Sequence, residues 1–474
     1  MTSKTDDDRN AVTRRAVLGG ALALGACGCS PVPVAPPSAS APAMSEPREL
    51  LIRNGYVLTM DATLGDLPNA DVHVRDGRIA AVGRALAAPG AEVLDASGML
   101  VLPGLVETHW HVWTTLLRSL SGDRPERGYF PTSRTVGAFY RPEDMYRAAM
   151  LSAAEALHSG ITFLHDWCHN VRSPEFATAS LQALAESGIR ARFSYGVPTG
   201  QANAEPIDVA HLATLAGEWE RHSAGGRLTL GLAWRGLVSE ASRRDLAAAR
   251  ELGLPVSVHA NNFPASAGGI AMIAAEGLLG PDMQVIHAIW ANDAEIEALA
   301  ASGASVSLSP FTELRIGFGL PLTGRFLAAG VPVGLSVDTP ALSGNADMFA
   351  VMKAIQNVEN GRAQDEFALP ARRVLELATV EGARSMGLGD EIGSLVPGKR
   401  ADVIMVSTRA LNLAVMSDPA HLLVEAAQPA NVDTVLVDGR IVKRGGGLTR
   451  LDVDRIIDEA AEAHAAVRER AGWS

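Results

Sequence analysis

Pro103-Gly104-Leu105-Val106-Glu107-Thr108-His109-Trp110-His111 is the stretch whose reading decides the fold. It starts as a short apolar run and ends in two histidines separated by one residue. Side chains on a strand change face at every residue, so His109 and His111 leave such a strand on the same side. Two imidazoles at a strand end are metal-ligand chemistry, provided that other donors arrive at the same place.

Reading outward from it, apolar runs alternate with Ala- and Leu-rich amphipathic stretches such as 142–159 and 293–302. That alternation is the pattern of parallel βα units. Candidate strands fall at 104–109, 161–166, 191–197, 228–234, 255–259, 284–287, 305–309 and 331–338. Eight of them point to a closed barrel, whose active site lies at the C-terminal ends of the strands. His109 and His111 end the first strand, His259 the fifth, His287 the sixth and Asp338 the eighth. Imidazoles and a carboxylate converging at one mouth make a site for a divalent metal with nitrogen and oxygen ligands.

Both flanks of the barrel have β character. Residues 50–58 read as strand, turn, strand; 71–75 and 79–83 flank an Asp76-Gly77 hairpin signal, and 401–406 and 432–442 mirror them around Asp438-Gly439. The expected fold is α/β, a (β/α)₈ TIM-like barrel with a small β-sandwich domain built from both chain ends. The expected divisions are a signal at 1–30, a tether at 31–47, β-domain halves at 48–103 and 395–447, the barrel at 104–394 and a C-terminal helix within 448–474.

The opening stretch resembles the P-G-hydrophobic-x-x-x-H-x-H signature of the amidohydrolase superfamily. Ser343-Gly344-Asn345-Ala346-Asp347-Met348-Phe349 is similar to the branch of triazine hydrolases and guanine, cytosine and S-adenosylhomocysteine deaminases. Ser309-Pro310 with Gly317 and Gly319, and the run from Gly393 to Asp402, fit the same branch. The resemblance implies that His109, His111, His259 and Asp338 hold one metal ion, zinc by default with Fe²⁺ as the alternative. No lysine stands at the third or fourth strand end to bridge a second ion. Asp338 and His287 are then the catalytic pair. Asp338 takes a proton from metal-activated water and returns it to the leaving nitrogen, and His287 polarises the substrate or contacts the metal-bound water. A homodimer is implied by the resemblance alone.

One departure bears on the chemistry. The deaminase branch carries H-x-x-E after the fifth strand, but here the sequence is His259-Ala260-Asn261-Asn262. Asn262 has no proton to shuttle. It stands either as a hydrogen-bonding partner of the substrate or as a neutral replacement. Other candidates for the substrate pocket are His165, His169, Trp113, Trp167, Trp290 and Glu313, each of which also reads as loop packing. The leading function is hydrolysis of a non-peptide C–N bond (amide, urea-like or amidine) in a small cyclic or aromatic molecule. Deamination and ester, lactone or halide hydrolysis compete on the same site. A ligand-binding lipoprotein without catalysis is the rival from another class.

Composition narrows the partners. A chain of 474 residues with 47% hydrophobic and 20% charged residues can bury a large core. The net charge of -12 argues against nucleic acid as a partner and leaves a small molecule. Arg14-Arg15 before an apolar run that is too short to span a bilayer resembles a twin-arginine export signal. Leu24-Gly25-Ala26-Cys27 resembles a lipobox, and the Pro/Ala/Ser-rich residues after it read as a tether. The expectation is an exported protein anchored to the membrane through lipidated Cys27. Cys27 and Cys29 lie in that leader, so Cys168 has no partner for an internal disulfide in the mature body.

Overall fold

The computed structural model describes residues 49–473. The signal, the tether and Cys27 lie outside the described residues. Eight parallel strands pair in chain order: Leu105–Val106, Ile161–Cys168, Arg190–Gly196, Leu228–Trp234, Val256–Ala260, Met283–His287, Ser305–Leu308 and Val333–Leu335. Helices such as Pro142–His158 and Asp293–Ser302 lie between them.

The first and eighth strands are shorter than the sequence suggests, yet their backbones join. Thr108 N donates to Leu335 O (3.1 Å), Asp338 N to His109 O (3.0 Å) and His111 N to Asp338 O (2.7 Å). Trp110 bridges to Asp338 on one side and to Asp166 on the other. Three residues past the end of the eighth strand, Asp338 takes φ 60°, which turns its side chain off the strand direction.

The flanking β domain is one mixed sheet of nine strands drawn from both ends of the chain. Its seam is Met99–Pro103 against Val403–Ser407, antiparallel. Residues of both halves, Val57, Val72 and Val101 with Val403, Met405 and Leu436, share one core. The strand–turn–strand reading of 50–58 is corrected. Leu50–Leu58 is a single strand whose register shifts around Gly55. A side chain on Gly55 would sit 2.5 Å from Val101 Cγ2, so the glycine lets the next strand lie close, and no turn forms. The two hairpin signals do make turns, with Asp76, Gly77, Asp438 and Gly439 all at positive φ.

A buried ion cluster ties this sheet to the barrel. Arg190, which opens the third barrel strand, donates from Nε to Asp402 (2.7 Å) and also pairs with Asp438. Asp402 in turn accepts from the Asp438 backbone N–H (2.8 Å). The closing helix, Val453–Arg470, returns to the barrel mouth, where His464 Nδ1 donates to Leu116 O (2.7 Å).

Removing Arg190 would strip buried Asp402 of its guanidinium partner and leave Asp438 with the longer contact to Arg400 (3.6 Å). Arg190→Ala is expected to lower unfolding stability by about 3–5 kcal/mol, read from denaturant titration followed by circular dichroism. Loss of less than about 1 kcal/mol would show that the cluster is incidental.

Candidate metal centre

Glu107 is the first support of the site. Its side chain shares the inner face of the first strand with His109, two residues on. One carboxyl oxygen accepts from the N–H of His109 (3.1 Å) and of Val337 (3.2 Å), and the other from His165 N–H (3.3 Å). A single buried group thus pins the first, second and eighth strands. Burial pushes its carboxyl up to about 8.

Above it the imidazoles converge. The rings of His109 and His111 lie 4.6 Å apart, and those of His109 and His259 lie 4.8 Å apart. Asp338 Oδ1 is 3.2 Å from His109 Nε2 and 3.4 Å from His111 Nε2. Its other oxygen, Oδ2, is 3.7 Å from His287 Nε2. Two overlapping groups, His109/His111/Asp338 and His109/His259/His287, each bring their donor atoms within 4.8 Å of one another.

The protonation pattern suits a cation. Burial holds His109, His111 and His259 well below the ordinary histidine range, and neighbouring imidazoles press in the same direction. The rings are therefore neutral, with lone pairs to offer. His111 Nδ1 lies 3.0 Å from the Trp167 carbonyl, which can only accept. Its proton is thus on Nδ1, and Nε2 is left as a donor to a metal. Both ring nitrogens of His109 and Oδ1 of Asp338 are buried without a hydrogen-bond partner. Unsatisfied groups of this kind cost about 1–3 kcal/mol each, and a divalent cation would remove that cost for His109 Nε2 and Asp338 Oδ1, which face each other. The residues fit such an ion.

His287 is held from behind. Its Nδ1 is 3.0 Å from Glu313 Oε1, which also accepts from Ser309 N–H (2.8 Å). Burial pushes the Glu313 carboxyl up, and the hydrogen bond with His287 opposes that shift. His287 and Asp338 both take positive φ, which aims their side chains at each other across the mouth.

The profile described as Amidohydrolase family matches residues 100–442. The chain belongs to the amidohydrolase family. A 5'-deoxyadenosine deaminase of Methanosarcina mazei is 31% identical over 433 residues, covering 88% of this chain and 97% of that protein. A 5-methylthioadenosine/S-adenosylhomocysteine deaminase of Desulforudis audaxviator is 31% identical over 432 residues, 87% of this chain and 97% of the relative. An adenosine deaminase of Xanthomonas campestris, solved with bound zinc, superposes with a TM-score of 0.80 at 26% identity, over 90% of this chain and 99% of that one. The atrazine chlorohydrolase of Arthrobacter aurescens, solved with zinc, shares the fold at 21% identity and a TM-score of 0.78, over 88% of this chain and 100% of that one. As an amidohydrolase the chain is a hydrolase of C–N bonds other than peptide bonds. The donor set and the zinc of these relatives support a divalent metal.

Several residues read from sequence as substrate-binding are placed elsewhere by this amidohydrolase barrel. His165 is corrected: its Nδ1–H donates to Thr108 O (2.9 Å) and Nε2 accepts from Ser194 Oγ (2.8 Å). It borders a cavity of about 170 Å³ at the opposite end of the barrel, with Arg192, Ser194, Pro255 and Pro281. Glu313 is corrected from mouth to support, since it is fully buried behind His287. Trp113 is buried too. Its Nε1–H donates to His169 Nδ1 (3.3 Å), and it packs edge-on to Tyr140. Trp167 is a wall for the imidazoles, with its ring edge-on to His259 at 4.4 Å and its N–H on Ser257 O (3.2 Å). His169 lies against His111 at 4.2 Å, and burial lowers it to about 4. Asn262 orients its amide to donate to Ala260 O (2.9 Å) and Ile286 O (3.3 Å). Trp290 alone of the tryptophans named is exposed, and its N–H reaches Phe318 O (2.8 Å).

Sequence reasoning missed Glu107, although its spacing from His109 was a readable signal. It also missed Tyr129 and Phe318, which carry no local pattern. The Tyr129 hydroxyl is buried without a well-formed hydrogen bond, in the field of Asp338 and beside Thr339. The Phe318 ring packs on His287 at 5.1 Å.

If Glu313 orients His287, then Glu313→Ala should lower kcat about 10–100-fold with KM little changed. Glu313→Gln, which still accepts from Nδ1–H, should recover part of the loss. Steady-state kinetics on both variants, with circular dichroism to confirm folding, checks this.

Proposed function

We propose that this chain hydrolyses an exocyclic C–N bond of a small aminated heteroaromatic molecule, using one ion held by His109, His111, His259 and Asp338. The observation that carries the reading is the split environment of Asp338. One carboxylate oxygen faces two imidazoles, and the other faces His287. Zinc is the ion we assign, because three imidazoles and a carboxylate suit it; the same ligands accept Fe²⁺. When bound, such an ion brings the pKa of a water down towards ~7 and supplies a nucleophile at neutral pH.

The chain's own residues then manage the proton. Asp338 Oδ2 accepts it from the attacking water. His287 Nε2, 3.7 Å away, is placed to share it before it passes to the leaving nitrogen. Glu313 fixes the His287 ring in that orientation. The buried support around the imidazoles keeps bulk water from solvating the charge that develops.

The relatives named as deaminases favour loss of an amino group as ammonia. A second reading has a specific observation behind it. Asn262 stands three residues after His259 and spends its N–H donors on two backbone carbonyls. It cannot carry a proton to a ring nitrogen, so a single shuttle remains, and one shuttle suffices for amide or urea-like cleavage. Asn262 keeps its amide oxygen for the substrate. Trp290 at the rim and His169 beside His111 are proposed as further substrate contacts, with Trp113 and Trp167 holding His169 from behind.

The deciding experiment is a screen of aminopurines, aminopyrimidines, aminotriazines and cyclic ureas against zinc-loaded protein, scoring both ammonia and product mass. Ammonia release is expected. Asp338→Asn should lower kcat by about 10²–10⁴-fold. Retained turnover in that variant, or activity in protein shown by elemental analysis to lack metal, would sink the reading.

From the leader we also propose that the protein is exported by a twin-arginine route and anchored through lipidated Cys27, and from the family resemblance that it is a homodimer. Intact mass of the mature protein should show residues 1–26 removed and a lipid adduct, and Cys27→Ser should release the protein from membranes. Sedimentation checks the dimer.

A further inference from the structure

Aromatic rings run in unbroken contact from the catalytic histidine to the surface. His287 packs on Phe318 with ring centroids 5.1 Å apart. Phe318 meets Phe263 edge-on at 4.6 Å, Phe263 meets Phe130 at 5.9 Å, and Phe130 meets Tyr129 at 5.3 Å. These residues come from three different βα connections, after the first strand, the fifth and the seventh, and Tyr129 and Phe130 open the helix Tyr129–Gly137. Trp290, from the loop after the sixth, is tied in by its bond to the Phe318 carbonyl.

Burial along the series is graded. Phe318 is 4% exposed, whereas Phe263 is 38%, Phe130 43% and Trp290 44%. Single exposed apolar residues are ordinary, but a contiguous run opening from a catalytic centre is not. Loops from four βα units have no folding reason to present rings outward at one place. The polar groups here are turned inward to the protein. The Trp290 N–H is spent on a backbone carbonyl, and the Tyr129 hydroxyl points into the site beside Thr339. What remains facing outward is π-surface and aromatic edge.

We propose that this ladder is a substrate subsite for an apolar, preferably aromatic, substituent carried on the heterocycle. The inference rests on the functional reading above, which places the reacting carbon next to His287. A substituent leaving that carbon's ring would pass over Phe318 first and end between Phe263 and Phe130. A polar sugar-like arm would find no hydrogen-bond partner on these rings, so they suit an apolar arm better. Continuity with His287 argues for the substrate's own arm as occupant, ahead of a second copy of the chain or a lipid surface.

The test uses zinc-loaded protein, adenine and 9-benzyladenine, with the double variant Phe130→Ala/Phe263→Ala. Both positions are exposed enough to change without loss of folding. Calorimetric binding of the wild type should favour the benzyl compound by about tenfold or more, the scale expected of an apolar group in an apolar pocket. In the variant that gap should close while adenine affinity stays the same. Equal affinities in the wild type, or a gap that survives in the variant, would overturn the subsite and leave the heterocycle reading standing. Benzyl-dependent binding without any affinity for adenine, lost in the variant, would support the subsite and count against an aminopurine. Binding of neither compound overturns the subsite. A variant that loses dimerisation or sedimentation with phosphatidylglycerol vesicles, while keeping the affinity gap, assigns the rings to another occupant and also overturns it.

Discussion

The structure depends on the seam between the first and last barrel strands. His109 and Asp338 are more than 200 positions apart in the chain, yet the backbone N–H of Asp338 donates to the His109 carbonyl, and that of His111 to the Asp338 carbonyl. Closure of the barrel therefore brings His109, His111 and Asp338 together. Glu107 reinforces the seam from inside by gathering N–H groups from three strands on one carboxyl. A carboxyl at this depth is costly, as its raised pKa records. It is tolerated because the alternative is three unsatisfied backbone donors beneath the site.

Much of the fold was legible because it rests on period and position. Alternating apolar runs announced the βα units, and the two-residue repeat set His109 and His111 on one face. Asp76-Gly77 and Asp438-Gly439 announced hairpins through φ preference alone. What failed to show needs tertiary knowledge. The bulge around Gly55 depends on Val101, which lies in another strand. The inward pointing of His165 depends on Ser194 and Thr108. Strand alternation could place His165 and Trp167 on the inner face of the second strand, but not say at which height each would lie. Trp167 sits level with the imidazoles, and His165 below them.

The same distinction explains the misplacement of Glu313. A carboxylate after a barrel strand looks like a mouth residue when only its strand end is known. In the structure the short helix Pro310–Ile316 turns it back under His287, where Ser309 N–H also binds it. Position along the chain gave the correct loop but not the correct side of that loop. Tyr129 and Phe318 were invisible for a related reason. Separate βα connections share no common period, so their meeting near His287 and Asp338 is set by how those connections pack.

The site therefore has two tiers with different physics. The lower tier is made of buried, ionisable and hydrogen-bonded groups, and its geometry is over-determined by strand pairing, Glu107 and the Trp167 ring. Low exposure there strengthens every electrostatic interaction and keeps His109, His111 and His259 neutral. The upper tier is apolar and loop-borne. It can vary without disturbing the ligands, because its contacts are ring edges and not the hydrogen bonds that hold the strands. Asn262 lies at the boundary: its N–H donors belong to the lower tier and its oxygen faces neither carbonyl that receives them. A carboxylate at that position would place negative charge against those two carbonyl oxygens unless it held a proton. The amide removes that conflict at any pH. The local backbone here is thus matched to asparagine, whose amide neither gains nor loses a proton at any ordinary pH.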